Sequence, residues 1–167
     1  MSTFLIDRRL YLPRSWVETK RRRREASVPE RVKYQNKAEL GVEMVKSALP
    51  QSLEAEWVLG DIIYGKDPNP RRFLEDRKIP YILGVPGNVR LWRDLVQWKL
   101  SDIAAKVSMR WTVESCGKGT QKDRSFRWAI YNFPKEGCPT GWKGGTLFRR
   151  SLQDPTDLSY LRFFAPD

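Results

Sequence analysis

The chain has 167 residues, enough for one domain with a real core but short for two, and an apolar content of 40% with seven tryptophans excludes a disordered chain. The formal net charge of +11 is concentrated in two flanks, which points to a polyanion, most simply DNA, or to a solvated basic surface. The absence of histidine excludes Ser-His and Cys-His nucleophilic catalysis, so any chemistry must rest on carboxylates, metals or lysine.

The charge is uneven. Residues 1–35 carry ten basic and four acidic side chains (net +6), and residues 86–150 carry thirteen and five (net +8). Residues 36–85 are at −1 and residues 151–167 at −2. Cys116 and Cys138 stand apart with no CxxC spacing, which fits no common zinc pattern and favours a reducing compartment, although two cysteines can pair. No apolar run approaches the ~18 residues of a membrane span, and there is no signal-peptide core. The expectation is a cytoplasmic protein without a membrane partner.

In chain order, Thr3 to Pro13 reads as a strand beginning almost at residue 1. Ser15 to Arg24 follows and ends in the run Lys20, Arg21, Arg22, Arg23 and Arg24. That run reads as a nucleic-acid contact or a targeting patch, or equally as an exposed helix end. From Asn36-Lys37, the residues Leu40, Met44, Val45, Ala48 and Leu49 recur at helical spacing, predicting a helix that Pro50 stops and whose stripe packs on a sheet.

Glu56 to Gly65 is a short apolar run set with one carboxylate, and it predicts a buried strand ending at Asp61. Ile79 to Pro86 is a second run of the same kind. Asp67 to Lys78 between them reads as a helix, with Asn69 as cap, Pro70 in the first turn, Phe73 and Leu74 inward, and Arg71, Arg72, Glu75 and Asp76 outward. Strand, helix, strand implies a parallel pair, and sites in such sheets lie at the carboxyl ends of the strands, where Asp61 falls. Asp61 equally reads as the cap of the following turn.

After Asn88 the character changes. Leu95 to Lys106 is expected to include a short helix; Val107–Val113, Ser125–Tyr131, Thr146–Leu152 and Leu158–Phe164 predict strands. The five tryptophans among these basic residues suit either nucleic acid or a β core. Lys118, Lys122 and Arg124 are candidate DNA contacts here. Gly117-Lys118-Gly119 lacks the spacing of a phosphate-binding P-loop.

Several stretches, in the same order and covering nearly the whole chain, resemble bacterial insertion-sequence transposases of the DDE superfamily. They are Phe4 to Pro13 with Ser15-Trp16, Val32 to Leu49, Trp57 to Gly65, Tyr81 to Pro86, Arg149 to Leu152, Asp154 to Leu158 and Phe163 to Pro166. The resemblance implies an α/β fold: a partial ribonuclease-H-like core over residues 1–86, with an appended β-rich insertion over residues 87–167. It implies three carboxylates holding two divalent ions, Mg²⁺ or Mn²⁺, that activate the attacking oxygen and stabilise the leaving one. Asp61 matches the second Asp, as a catalytic and metal-binding residue.

The first Asp is expected on a strand upstream of Phe4, and the Glu on a helix beyond Asp167. Both ends therefore read as cut, and one carboxylate cannot hold two metals. The expectation is a piece of a transposase with little or no activity alone. Its implied partners are transposon ends and target DNA at the bacterial nucleoid, together with the missing segments or a second copy. The alternative is a non-enzymatic DNA-binding remnant. A weaker third reading is a self-sufficient nuclease using Asp7 with Asp61.

Overall fold

The protein's structure, a computed structural model, describes residues 5–49, 56–93, 95–118, 123–134 and 137–167, with Lys118 and Asp123 described in backbone only. Its contacts group into two units, Met1–Glu54 and Ala55–Asp167.

In the first unit, residues 5–13 form no strand. The polar centre of that run explains the difference from expectation. Asp7 turns its carboxylate on its own neighbourhood, accepting from the Arg8 N–H at 2.6 Å and from the Arg9 side chain at 3.1 Å. Such local bonds compete with a sheet ladder. Two short helices follow, α1 (Arg14–Val17) and α2 (Lys20–Glu25), neither with a side-chain cap. Helix α3 (Lys37–Ala48) is better built. The Asn36 side chain accepts from the Glu39 N–H at 2.8 Å, and Glu39 accepts from the Asn36 N–H at 2.8 Å. This reciprocal cap satisfies two of the otherwise unpaired amides of the first turn. Ala38 and Leu40 are its buried residues.

The second unit is organised on one six-stranded mixed sheet, in the order β1-β2-β8-β7-β6-β5. Strand β1 (Val58–Gly60) runs parallel to β2 (Tyr81–Val85), with Leu59 opposite Ile82. The predicted parallel pair is therefore present, but β1 is not the buried strand expected: it lies at the sheet edge and Leu59 is 71% exposed. Between these strands lie one turn of helix, α4 (Ile62–Gly65), and α5 (Pro68–Asp76). The cap of α5 is Asp67, which accepts from the Asn69 N–H at 2.9 Å, two residues earlier than the expected Asn69. Pro68 then occupies the first helical position, where its missing N–H costs nothing.

Leu74 is buried at 2% exposure, as its place in the apolar stripe requires. Arg71 and Glu75, expected to face water, are instead engaged. Arg71 donates to the Gly65 carbonyl, and burial lowers its pKa. Glu75 accepts from the Tyr81 hydroxyl at 2.5 Å. Arg162 approaches the same carboxylate at 3.9 Å.

The β-rich half does not stand as a separate sheet. Strand β8 (Leu158–Pro166) pairs antiparallel with β2, placing Leu161 opposite Gly84. Outward from β8 come β7 (Trp142–Ser151), β6 (Asp123–Asn132) and β5 (Thr112–Lys118), all antiparallel. The expected strand at Val107–Val113 begins only at Thr112, because Val107 closes helix α6 (Leu100–Lys106) by donating to the Ile103 carbonyl.

The short helix expected within Leu95–Lys106 is α6, and the residues before it are strand. Strands β3 (Arg90–Arg93) and β4 (Val96–Lys99) form a separate hairpin. Helix α6 lays Leu100, Ile103 and Ala104 on one face of the large sheet, against Val85, Ala129 and Phe148. Residues of this cluster are 0–9% exposed, and their burial is the main stabilising term of the unit. Strand β2 is covered on both faces, which is why it reads as an unbroken apolar run.

Candidate active site around Asp61

The chain leaves β1 at Gly60 and turns at once into α4, with Asp61 as its N-cap. The Asp61 carboxylate accepts from the Ile63 N–H at 2.9 Å, and its carbonyl accepts from the Tyr64 and Gly65 amides at 3.2 Å. Asp61 is thus at the carboxyl end of a parallel strand, as predicted, and it also caps the turn. The side chain is exposed.

What holds this turn flat on the sheet is a pair of glycines. A Cβ on Gly84 would stand 2.8 Å from the Ile62 nitrogen and 3.0 Å from the Asp61 carbonyl carbon, and one on Gly65 would strike the Gly84 carbonyl. Real side chains do not approach backbone that closely, so only glycine lets the Asp61 turn sit on β2.

Asp61 opens on a groove of about 510 Å³ that Gly84, Pro86, Gly87, Arg149, Ser159 and Tyr160 also line. Arg149 comes from β7. Its Nη2 donates to the Ser159 Oγ at 3.0 Å, and its guanidinium lies 4.7 Å from the Phe126 ring centre. The Tyr160 phenol is pushed up from its ordinary value, chiefly by burial. Arg149 was not singled out from the sequence as a site residue. The only signal was its place in the Arg149-Arg150-Ser151-Leu152 stretch.

These residues do not fit a two-metal centre. Among the described residues no group of three or more acidic, cysteine or histidine side chains comes together. Among the described residues that line the Asp61 groove, Asp61 is the one carboxylate. Asp7, the tempting substitute, belongs to the other unit and is paired with Arg9 at 3.1 Å. No catalytic step through metal ions follows from these residues.

The candidate DNA contacts divide. Lys20, Arg21, Arg22 and Arg24 are exposed on α2, with Arg21 paired to Glu25 at 3.4 Å. Arg23 is not a surface cation of the same kind. It donates to the carbonyls of Pro29, Glu30 and Val32 at 2.8–3.2 Å, clamping the chain after α2. Arg124 is exposed on β6, and Lys118 ends β5 opposite Asp123. Lys122 lies outside the described residues.

The sequence reading missed the hairpin β3–β4, which leaves Trp92, Leu95 and Val96 exposed. Two short runs, Arg90–Arg93 and Val96–Lys99, on either side of Asp94-Leu95 were the available signal. Among the described residues no helix is long and apolar enough to cross a membrane.

A family model described as DDE superfamily endonuclease matches residues 2–106, a span that includes Asp61 and both strands of the parallel pair. No curated protein and no solved structure matches the chain. The matched span is well over half of the sequence, and the chain belongs to the DDE superfamily endonucleases, a family of transposase-like nucleases.

Proposed function

We propose that the chain is a DNA-binding part of an insertion-sequence transposase, and that Asp61 is one of the carboxylates by which such an enzyme holds divalent metal. The observation that carries this reading is the position of Asp61. It directly follows β1 of the parallel pair, is seated over Gly84, and opens on a groove that also holds a guanidinium. On this reading β1 and β2 belong to a ribonuclease-H-like core, and β8 to β5 are a β-rich insertion that extends the sheet from β2. Its partners are transposon ends and target DNA at the bacterial nucleoid, bound through phosphates by the basic flanks.

Phosphodiester cleavage in this family's manner needs two metal ions held by several carboxylates, with Mg²⁺ or Mn²⁺ supplying the Lewis acid. With Asp61 alone in its groove, the chain binds DNA without cutting it. Supercoiled plasmid incubated with the chain and either metal tests this. The expected result is retarded migration of DNA that remains supercoiled. Nicking that disappears in Asp61→Ala contradicts it, and Asp7→Ala then tests the substitute ligand.

A further inference from the structure

We infer that Arg149 is a phosphate-binding residue, holding the DNA strand that lies in the Asp61 groove at a backbone phosphate next to the one Asp61 faces. The inference rests on the proposed function and adds the residue that fixes the strand. Arg149 sits opposite Ser159 across β7 and β8, and Leu161 of β8 sits opposite Gly84, over which the Asp61 turn lies. Arg149 is therefore two strands away from Gly84, the β2 residue beneath the Asp61 turn, about 10 Å in the hydrogen-bonding direction. The two side chains share a groove without pairing with each other. Among the described residues the polar partner of Arg149 is the Ser159 hydroxyl, and no carboxylate neutralises it. One ring, Phe126, supports the plane of the guanidinium.

A half-buried cation with no counter-ion is costly unless an anion completes it. Its fork also leaves donors beyond the one given to Ser159, arranged as a phosphodiester accepts them. The neighbouring Arg150 is likewise half-buried and ring-supported, but it does not line this groove. It points to the opposite face of the strand, where its guanidinium lies 4.4 Å from the Trp111 ring centre. Arg127 likewise faces away from the groove, since it is Trp128 that pairs with Arg149. Asp61 and Arg149 thus mark two positions along one strand: a carboxylate suited to metal, and a cation suited to the adjacent phosphate.

The test is duplex-DNA affinity as a function of salt, measured on the full chain and on Arg149→Ala, Arg149→Lys, Ser159→Ala and Arg127→Ala. Losing one phosphate contact lowers the magnitude of the log–log slope by about 0.9. Arg149→Ala is expected to show that loss, Arg149→Lys to restore the slope, and Ser159→Ala to keep it. Arg127→Ala is expected to lose no more than Ser159→Ala. A purely structural Arg149 would instead leave the slope of any folded variant unchanged, which overturns the inference while leaving the proposed function standing. No DNA binding by the parent chain overturns both.

Chemical modification of arginines by phenylglyoxal, mapped by mass spectrometry, probes the same contact without a variant. DNA is expected to protect Arg149 and leave Arg127 reactive, and equal modification of Arg149 with and without DNA contradicts the inference.

Discussion

Gly84 lies directly beneath the Asp61 turn, so close that a methyl group there would stand 2.8 Å from the Ile62 nitrogen. Gly65, at the other end of the same turn, faces the Gly84 carbonyl. The position of Asp61 at the end of β1 therefore depends on two residues that do no chemistry. Because backbone rather than a flexible side chain is in the way, the turn cannot adjust by a rotamer change. Gly84→Ala and Gly65→Ala are each expected to destabilise the chain by about 3 kcal/mol, at the upper end for overpacking. Denaturant unfolding checks this, with wild-type stability in either variant as the contrary result.

The two roles of Asp61, cap and ligand, separate by substitution. Asparagine at an N-cap accepts the same amide hydrogen bond as aspartate, whereas alanine loses it at about 1 kcal/mol. Asp61→Asn is expected to melt like the parent chain, and Asp61→Ala several degrees lower. Equal melting of all three would show that the bond to the Ile63 N–H contributes nothing measurable.

Tyr81 and Glu75 give the fold a dependence on alkaline pH. Tyr81 is fully buried, and burial, followed by its hydrogen bond to Glu75, raises its pKa far above the ordinary value near 10. The unfolded chain therefore loses the phenolic proton first as pH rises. The stability contributed by the neutral phenol is complete below about pH 10 and is lost progressively above it, toward the raised folded value. Tyr81→Phe is expected to be less stable at neutral pH, by about 1 kcal/mol for the lost hydrogen bond, and to fall less steeply above about pH 10. An identical alkaline profile in the variant contradicts the assignment.

Within the basic run, the five residues divide into surface charge and structure. Neutralising Lys20, Arg22 and Arg24 together is expected to weaken DNA binding and reduce its salt dependence with little effect on melting. Arg23→Ala is expected to act chiefly on stability, because three carbonyls around Val32 lose their donor. If Arg23→Ala matches the other three in both readouts, the clamp has no energetic weight.

Much of the site was legible because its signals are local. The two apolar runs at Trp57–Gly65 and Ile79–Pro86 give strands β1 and β2, and the intervening Pro68 and Leu74 give a helix, so the parallel pair and the place of Asp61 follow. The opening of α3 at Asn36-Lys37 and the strands β6, β7 and β8 are local in the same sense.

What escaped reading depends on contacts that composition and periodicity do not encode, some local and some distant in sequence. Leu5 to Pro13 has the composition of a strand but lacks a ladder, and the Asp7 carboxylate accepts from the neighbouring Arg8 N–H instead. Glu75 looks solvent-facing until Tyr81 is placed beneath it. The union of β2 with β8, which makes one sheet of the αβ and β-rich stretches, joins residues about eighty positions apart. No periodicity encodes such a pairing. Arg149 was invisible for the same reason, since its meaning depends on Ser159 and on a groove built from four separate stretches.

The most direct measurement of the central claim is the salt dependence of affinity for a short duplex of arbitrary sequence, by fluorescence anisotropy. Contact with about five phosphates gives a log–log slope of about −4 to −5, and little preference among sequences. A slope in that range is the expected result. Salt-independent affinity, or no binding by a folded sample at ~50 mM salt, where phosphate contacts are strongest, would contradict the DNA-binding reading of this chain.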